Sequence, residues 1–293
     1  MIVLDGGIGR HLEKMGAPFG QPEWSALSLI QEPDFVLRAH KDFIDSGADV
    51  ITTNSYAIVP FHIGKDRFEK EGKDLLIRAG NIAKEAVKLY KREIKIAASI
   101  PPVLGSYKPD VFNSEKAIPI LEIFKNNLIQ YCDLILAETL SSIDEIKTIQ
   151  RVFGDCKMPF WISLTIEDEN YNIPKLRSGE EIVTALRKID FNKISSVLFN
   201  CSQPEVMAKA IKVARNLVPE NTSLGVYANA FQPIKIGQRD ANSQIRNTRQ
   251  ELTPEKYFDF VKEWNELEVD IIGGCCGIGP EHIKKICELK KNR

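Results

Sequence analysis

The sequence predicts a single (β/α)8 barrel with its site at the carboxyl ends of the strands, and three observations carry that reading. Short β-branched apolar runs alternate with longer stretches of helical periodicity along all 293 residues, with no Ser/Gly linker or low-complexity break. About eight such strand–helix units can be counted, the number that closes a parallel barrel. Nearly every apolar run ends on a chemically capable side chain: Asp5, Thr53, Ser99, Glu138, Ser163, Cys201, Asn229 and the pair Cys275-Cys276. A doubly wound open sheet shares the alternation but gathers its ligands at one switch point. Chemistry at almost every strand exit is what a barrel rim requires. Residues 1–293 are therefore read as one domain.

The strand candidates are residues 1–4, 49–53, 95–99, 134–138, 160–164, 196–201, 224–228 and 269–273. Helical periodicity marks 33–46, 74–92, 141–152, 204–216 and 254–266, several with Pro or Ser at the start, as first-turn chemistry favours. The first strand leaves into Asp5-Gly6-Gly7-Ile8-Gly9, whose glycines let backbone N–H groups approach an anion such as a carboxylate. A tight turn into a helix at 11–15 explains the same run. Trp24 falls in the loop 21–25, as a packing lid or as a ligand contact. The second strand delivers Thr52-Thr53-Asn54-Ser55-Tyr56, which reads equally as a capped turn or as part of a site. Residues 101–117, with Gly105 and Tyr107, are too long for a simple connector and are expected to fold over the rim. Glu138 closely follows Leu134, Ile135 and Leu136, so its carboxylate is expected to be partly buried and to need a cationic or hydrogen-bonding partner. Strand five leads into a polar loop at 167–179 that includes Arg177, and strand six sets Asn200 and Cys201 at its exit. Residues 229–249 are polar, hold Phe231 and Asn242, and read as a substrate-covering segment or a mobile loop. At the end, Lys290-Lys291 puts positive charge where a helix dipole favours it.

Composition narrows the function classes. A formal charge of −1 leaves no electrostatic surplus for phosphate backbones or anionic membranes, so neither nucleic acid nor membrane is expected as a partner. No apolar run is long enough to span a bilayer, and MIVLDGG is not a signal peptide. Six cysteines without a secretory signal suggest reduced thiols in a cytoplasmic setting, where clusters of thiols mean metal or catalysis more often than disulfides.

The cysteines then organise the reading. Regular strand geometry sends neighbouring side chains to opposite faces, so Cys275 and Cys276 reach one centre only where the strand has ended, and the flanking glycines permit that bend. Two thiols there make half a soft-metal site, and a barrel brings the exit of strand six near that of strand eight, which nominates Cys201 as a third ligand. Cys132, Cys156 and Cys287 lie away from strand exits and are assigned no function. Three thiolates on tetrahedral Zn2+ leave one position open, as in catalytic sites. Such an electron-rich centre is poor at acidifying water but suited to holding a substrate sulfur, whose alkylation gives a thioether.

The motifs LDGG at 4–7, ITTNSY at 51–56, AET at 137–139, NC at 200–201 and GGCCG at 273–277 resemble, in order and over almost the whole chain, the zinc-dependent homocysteine S-methyltransferases. The resemblance implies a (β/α)8 barrel, Zn2+ on Cys201, Cys275 and Cys276, and homocysteine held through its amino and carboxylate groups by Asp5, Gly6, Thr53 and Glu138, with Asn200 counted among the substrate residues. Methyl transfer then gives methionine. The donor must be a good methyl leaving system, a sulfonium or quaternary ammonium cation, and Trp24, Tyr56 and Tyr227 are its candidate aromatic contacts. Arg10 stands where many relatives carry Thr, Gly105-Ser106-Tyr107 matches the family loop loosely, and Thr139 stands where betaine-using members carry an aromatic. S-methylmethionine or S-adenosylmethionine is the favoured donor, and betaine or dimethylsulfoniopropionate the alternative. Without a long carboxyl-terminal extension, corrinoid-dependent relatives are not expected to be the match. A reading of another class, a thiol-based zinc or redox sensor, would need the cysteines but not Asp5 or Glu138, and an inactive barrel scaffold would need neither zinc nor turnover.

Overall fold

A computed structural model describes residues 1–169, 171–234 and 246–291 of the chain. Its eight strands are β1 Ile2–Val3, β2 Val50–Thr52, β3 Lys95–Ile100, β4 Leu134–Leu140, β5 Phe160–Leu164, β6 Ser196–Asn200, β7 Ser223–Tyr227 and β8 Ile271–Ile272. All pairs are parallel, in the order β1-β8-β7-β6-β5-β4-β3-β2. The two ends of that series meet where Leu4 bridges Val50. Asp49 N and Asp5 N donate across the same seam, to Val3 O at 2.7 Å and Val50 O at 3.0 Å. The ring is therefore the closed barrel that the alternation predicts, not an open sheet.

Strand pleating sorts the apolar residues into two layers. Leu4, Val50, Ala97, Leu134, Leu136, Trp161, Leu198 and Ile271 fill the barrel. Val3, Ala98, Ile135, Phe160, Ile162, Val197, Phe199 and Ile272 face the surrounding helices. The helix Ile143–Phe153 is typical of that outer layer, burying Ile146, Ile149, Val152 and Phe153. Its start is fixed by a reciprocal cap in which Glu145 N donates to Ser142 Oγ and Ser142 N donates to Glu145 Oε2, each at 3.2 Å. Each fully buried Ile, Leu or Phe contributes roughly 1.5–3 kcal/mol, so ring and helices hold one another in place.

The interior changes character along the strands. Two residues beyond Ala97, Leu136, Trp161 and Leu198 come Ser99, Glu138, Ser163 and Asn200. An apolar floor thus gives way to a polar rim at the carboxyl ends.

All eight strands fall on the expected runs, with ends shifted by at most two residues. The helices differ more. The one expected at 74–92 is Lys65–Lys88, because its first turns are polar and bury only Phe68 and Gly72 before Leu75. The rim segment expected at 101–117 ends sooner, where Asn113 Oδ1 accepts from Lys116 N at 3.0 Å and caps a helix over Ser114–Asn127 that Pro119 had disguised. Residues 235–245, which include Asn242 and most of the expected covering segment, lie outside the described residues. Among the described residues, no helix is long and apolar enough to cross a membrane.

Candidate active site

β7 lies between β6 and β8, and its end holds the cysteine-bearing turns of both. Cys201 N donates to Tyr227 O at 3.3 Å, Cys275 N to Ala228 O at 2.9 Å, and Ala230 N to Cys276 O at 2.8 Å. Cys201 sits at φ 51°, a left-handed conformation that costs a non-glycine residue on the order of 1 kcal/mol and persists only when neighbours enforce it. The three sulfur atoms lie within 4.8 Å of one another. Sulfurs about 2.3 Å from a tetrahedral ion are about 3.8 Å apart, so this set fits a thiophilic divalent cation with little movement. All six cysteines are free thiols, and Cys132, Cys156 and Cys287 take no part in the cluster. The glycines of the first loop serve this packing. A Cβ on Gly7 would come within 2.5 Å of Cys275 O and 2.8 Å of Cys276 Cα, so no larger residue lets the two loops approach. Gly7 N–H is taken by Ile278 O at 2.9 Å, which leaves Gly6 N–H as the amide of this pair without a partner among the described residues.

Without a cation, the cluster's protons are unequally shared. The Cys275 and Cys276 thiols donate to the Cys201 sulfur and, joined by the Tyr107 hydroxyl, hold its pKa well below the usual thiol range. Cys275 and Cys276 are correspondingly pushed up, since ionising either would sacrifice a donor and add charge beside Cys201. Cys201, Cys275 and Cys276 would hold a thiophilic cation, whose charge would let all three ionise.

Across the cavity stand two buried carboxylates. Asp5 accepts from Thr52 N at 2.7 Å and from Thr52 Oγ1 at 3.1 Å. Burial nevertheless pushes its pKa well up, with the nearby Glu138 charge adding to the rise. Glu138 reaches inward through a register shift between β4 and β5 after Ala137, with Thr139 at φ 63°. Such a bulge re-aims a side chain. Ser99 Oγ donates to Glu138 Oε1 at 2.5 Å and the Tyr227 hydroxyl to Oε2 at 3.3 Å. Burial raises its pKa to about 7 despite those donors. The expected partner of Glu138 is thus a pair of hydroxyls, with no cation among them.

Two expected substrate residues are engaged in hydrogen bonds within the protein. Asn200 is fully buried and does not line the cavity. Its Oδ1 accepts from Thr139 N at 3.0 Å and Ser163 Oγ at 2.8 Å, while Nδ2 donates to Thr139 Oγ1 at 2.9 Å. These bonds hold the bulge beside Glu138. Thr53 does line the cavity, yet its single hydroxyl proton is committed. Ser99 N donates to Thr53 Oγ1, and Ser55 Oγ donates to Ser99 O at 2.7 Å, so the 2.9 Å bond between Thr53 and Ser55 takes the threonine's proton. The hydroxyl thus braces the turn at the cavity wall.

Asp5, Gly6, Glu138, Cys201, Cys275 and Cys276 all open on one cavity of about 910 Å³, its mouth included. Trp24, Tyr56 and Tyr227 line it as well. Trp24, at φ 53°, packs against Phe19 at 5.0 Å and against Phe231 at 6.4 Å between ring centroids. The Tyr56 hydroxyl pairs with Ser106 Oγ at 2.8 Å.

Two further residues brace the cluster. Tyr107, at φ 60°, packs with Cys201, Cys275 and Cys276. Arg177 is fully buried behind it, its guanidinium carbon 5.3 Å from the Tyr107 ring centre. Arg177 Nη1 and Nη2 donate to the two oxygens of Asp168 at 3.2 and 3.1 Å, and Nη2 also to Cys201 O at 3.4 Å. Glu167 lies 3.7 Å away, and Asp168 additionally accepts from Gln203 N at 2.9 Å and Ile234 N at 2.8 Å. Arg177 and its acids share the loop 167–179, but the groups that enclose them, Cys201 O, Gln203 N and Ile234 N, come from the turns after β6 and β7, which a polar-loop reading does not reveal. An arginine followed by Ser-Gly-Glu and preceded by the acidic run Glu167-Asp168-Glu169 was the available clue.

The homocysteine S-methyltransferase family profile matches residues 2–289. Homocysteine S-methyltransferase 1 of Brassica oleracea var. italica is 28% identical over 316 residues, spanning 99% of this chain and 94% of that protein. Selenocysteine methyltransferase of Astragalus bisulcatus is 26% identical over 320 residues, spanning 98% of this chain and 91% of that protein. The metallated crystal structure of the homocysteine methyltransferase MmuM from Escherichia coli shares the fold, with a TM-score of 0.80 at 21% identity over 99% of this chain and 96% of that one. With the profile running through the whole barrel, the cysteine cluster and both carboxylates, the chain belongs to the homocysteine S-methyltransferase family of enzymes.

Proposed function

We propose that the chain is a single homocysteine-binding barrel that transfers a methyl group from a sulfonium donor, S-methylmethionine or S-adenosylmethionine, to the thiol of L-homocysteine, giving methionine with Zn2+ as cofactor. One observation carries this reading: three cysteine sulfurs from two strand exits lie within 4.8 Å of one another on the wall of a cavity that also holds Asp5 and Glu138. Cys201, Cys275 and Cys276 would hold the ion. When bound, it supplies Lewis acidity that keeps a substrate thiol deprotonated near neutral pH.

The chain's own groups do the rest. Asp5 and Glu138 receive the substrate ammonium, whose charge offsets two carboxylates that burial would otherwise keep protonated. Gly6 N–H is the open amide for the substrate carboxylate. Tyr227 and Ser99 fix the rotamer of Glu138. Orientation of this kind is what converts two bound molecules into an aligned pair. Trp24, Tyr56 and Tyr227 line the same cavity and are the aromatic groups available to the onium cation. The substrate sulfur attacks the methyl carbon in line, the donor's carbon–sulfur bond breaks, and its electron pair stays on a departing neutral thioether. The thiol proton leaves to solvent, so no general base is required. Betaine or dimethylsulfoniopropionate remains the alternative donor. Six free cysteines favour a reducing, cytoplasmic setting.

Purified protein is expected to carry about one zinc per chain and to form methionine from homocysteine and one of these donors. Full activity in Cys275→Ser/Cys276→Ser would refute the reading. A thiol-based sensor is separated by Glu138→Gln: retained zinc with lost turnover supports catalysis, and an unaffected variant favours sensing.

A further inference from the structure

Two side chains on the cavity wall have no part in the steps above. Asn54, just past β2, is 1% exposed. Its Nδ2 donates to Ser25 O at 3.1 Å, which fixes the amide's orientation, and its Oδ1 is buried without a partner. His62, in the short helix Pro60–Ile63, is 4% exposed, with Nδ1 2.6 Å from Pro22 O. A carbonyl oxygen only accepts, so Nδ1 carries the proton. Burial lowers the pKa of His62 to about 4, so the ring is neutral and Nε2 is a bare acceptor. Both residues line the cavity. Both are also fastened to the segment that carries Trp24, one at Pro22 and the other at Ser25. Two acceptors on the cavity wall thus belong to residues tied to the Trp24 segment, and Asn54 Oδ1 has no donor among the described residues. A buried acceptor left unpaired is costly, so Asn54 Oδ1 at the wall of a ligand cavity calls for a ligand N–H, and His62 on the same cavity offers Nε2 as a second acceptor.

We infer that Asn54 and His62 read the N–H groups of the methyl donor and so select a sulfonium that carries a primary ammonium over quaternary betaines and sulfonium acids that carry none. The inference rests on the methyltransferase reading and assigns its donor specificity. Neutral acceptors suit the task better than carboxylates would. The donor loses its onium charge as the methyl group leaves, and a carboxylate beside it would stabilise the cationic ground state more than the transition state. Homocysteine keeps its charge through the reaction and can be held by Asp5 and Glu138. The two ammonium sites are thus chemically distinct.

The test compares S-methylmethionine with its desamino analogue, (3-carboxypropyl)dimethylsulfonium, as donors to saturating homocysteine on zinc-loaded protein. The wild type is expected to prefer the amino donor in kcat/KM by about 10- to 100-fold, the range set by one hydrogen bond to a charged group. His62→Asn keeps an N–H for Pro22 O and removes the Nε2 acceptor, and Asn54→Leu removes Oδ1. Each is expected to lower the preference by about 10-fold. The wild-type comparison needs no variant, so a misfolded Asn54→Leu does not shield the inference. Equal use of the two sulfoniums by the wild type, or an unchanged preference in His62→Asn, overturns it while leaving the methyltransferase reading intact. Absence of turnover with every donor overturns both.

Discussion

Replacing Arg177 with Met isolates the contribution of one buried cation to the cysteine cluster. The substitution keeps most of the side-chain volume and removes the bonds to Asp168, Cys201 O and Thr165 Oγ1 together with the contact to Glu167. Asp168 retains two backbone donors, Gln203 N and Ile234 N, so its charge is not wholly abandoned. Removing one partner of a buried ion pair costs about 3–5 kcal/mol. At roughly 2–4 °C per kcal/mol for a chain somewhat smaller than this one, the melting temperature should fall by about 6–20 °C. Because Arg177 holds the Cys201 carbonyl and stacks under Tyr107, zinc affinity should fall about 10–100-fold, the usual effect of losing a residue that orients a ligand. Arg177→Lys keeps the charge but cannot bond both Asp168 oxygens and a carbonyl at once, so its loss should lie between the two. Thermal unfolding of metal-loaded and metal-stripped protein gives the first quantity, and competition with a coloured chelator gives the second. An Arg177→Met protein that melts like the wild type and competes equally well for zinc would refute the argument.

Gly7→Ala forces a Cβ against Cys275 O and Cys276 Cα, and should cost about 1–3 kcal/mol in urea unfolding while lowering bound zinc, whereas a stable variant with full zinc would contradict the packing account. Asn200→Ala frees the bulge at Thr139; zinc content should hold while kcat/KM for homocysteine drops at least about 10-fold as Glu138 loses its aim, and an unchanged value would restore Asn200 to a passive role. Glu145 has its pKa raised by burial to about 8, above the unfolded range, so its contribution to stability is complete at low pH and is lost as pH climbs through 8. Glu145→Gln removes that loss, and between pH 5 and pH 8 its stability relative to wild type should improve by on the order of 3 kcal/mol; parallel denaturation midpoints at both values would count against it.

The barrel was legible because its two signals are local. The β-branched runs mark strands, and a chemically capable residue at each exit marks the rim. The three cysteines were legible because a closed ring leaves only β7 between the ends of β6 and β8. Glu138 was expected to be buried from the apolar run before it, and it is. What escaped is set by three-dimensional neighbours. Nothing in the local order of Asn200 or Thr53 says that Thr139 and Ser163 take up the amide, or that Ser55 takes the threonine's proton. Arg177 was hidden in a polar stretch, because the groups that enclose it and its acids arrive from two other turns. The early start of Lys65–Lys88 was obscured because the long helix begins in solvent, where apolar periodicity has no reason to appear.

Asp5 helps to close the barrel as well as lining the cavity, since Thr52 donates to its carboxylate across the seam where Leu4 bridges Val50 and where Asp49 N and Asp5 N donate to Val3 O and Val50 O. Experiments that substitute it will mix two effects, a weaker grip on amino acid and a loosened joint in the cylinder. The same coupling runs the other way. On the proposed reading, an ammonium docking on Asp5 would tighten this join of the ring, so occupancy by homocysteine should register as slower hydrogen exchange at the Asp49 and Asp5 amides.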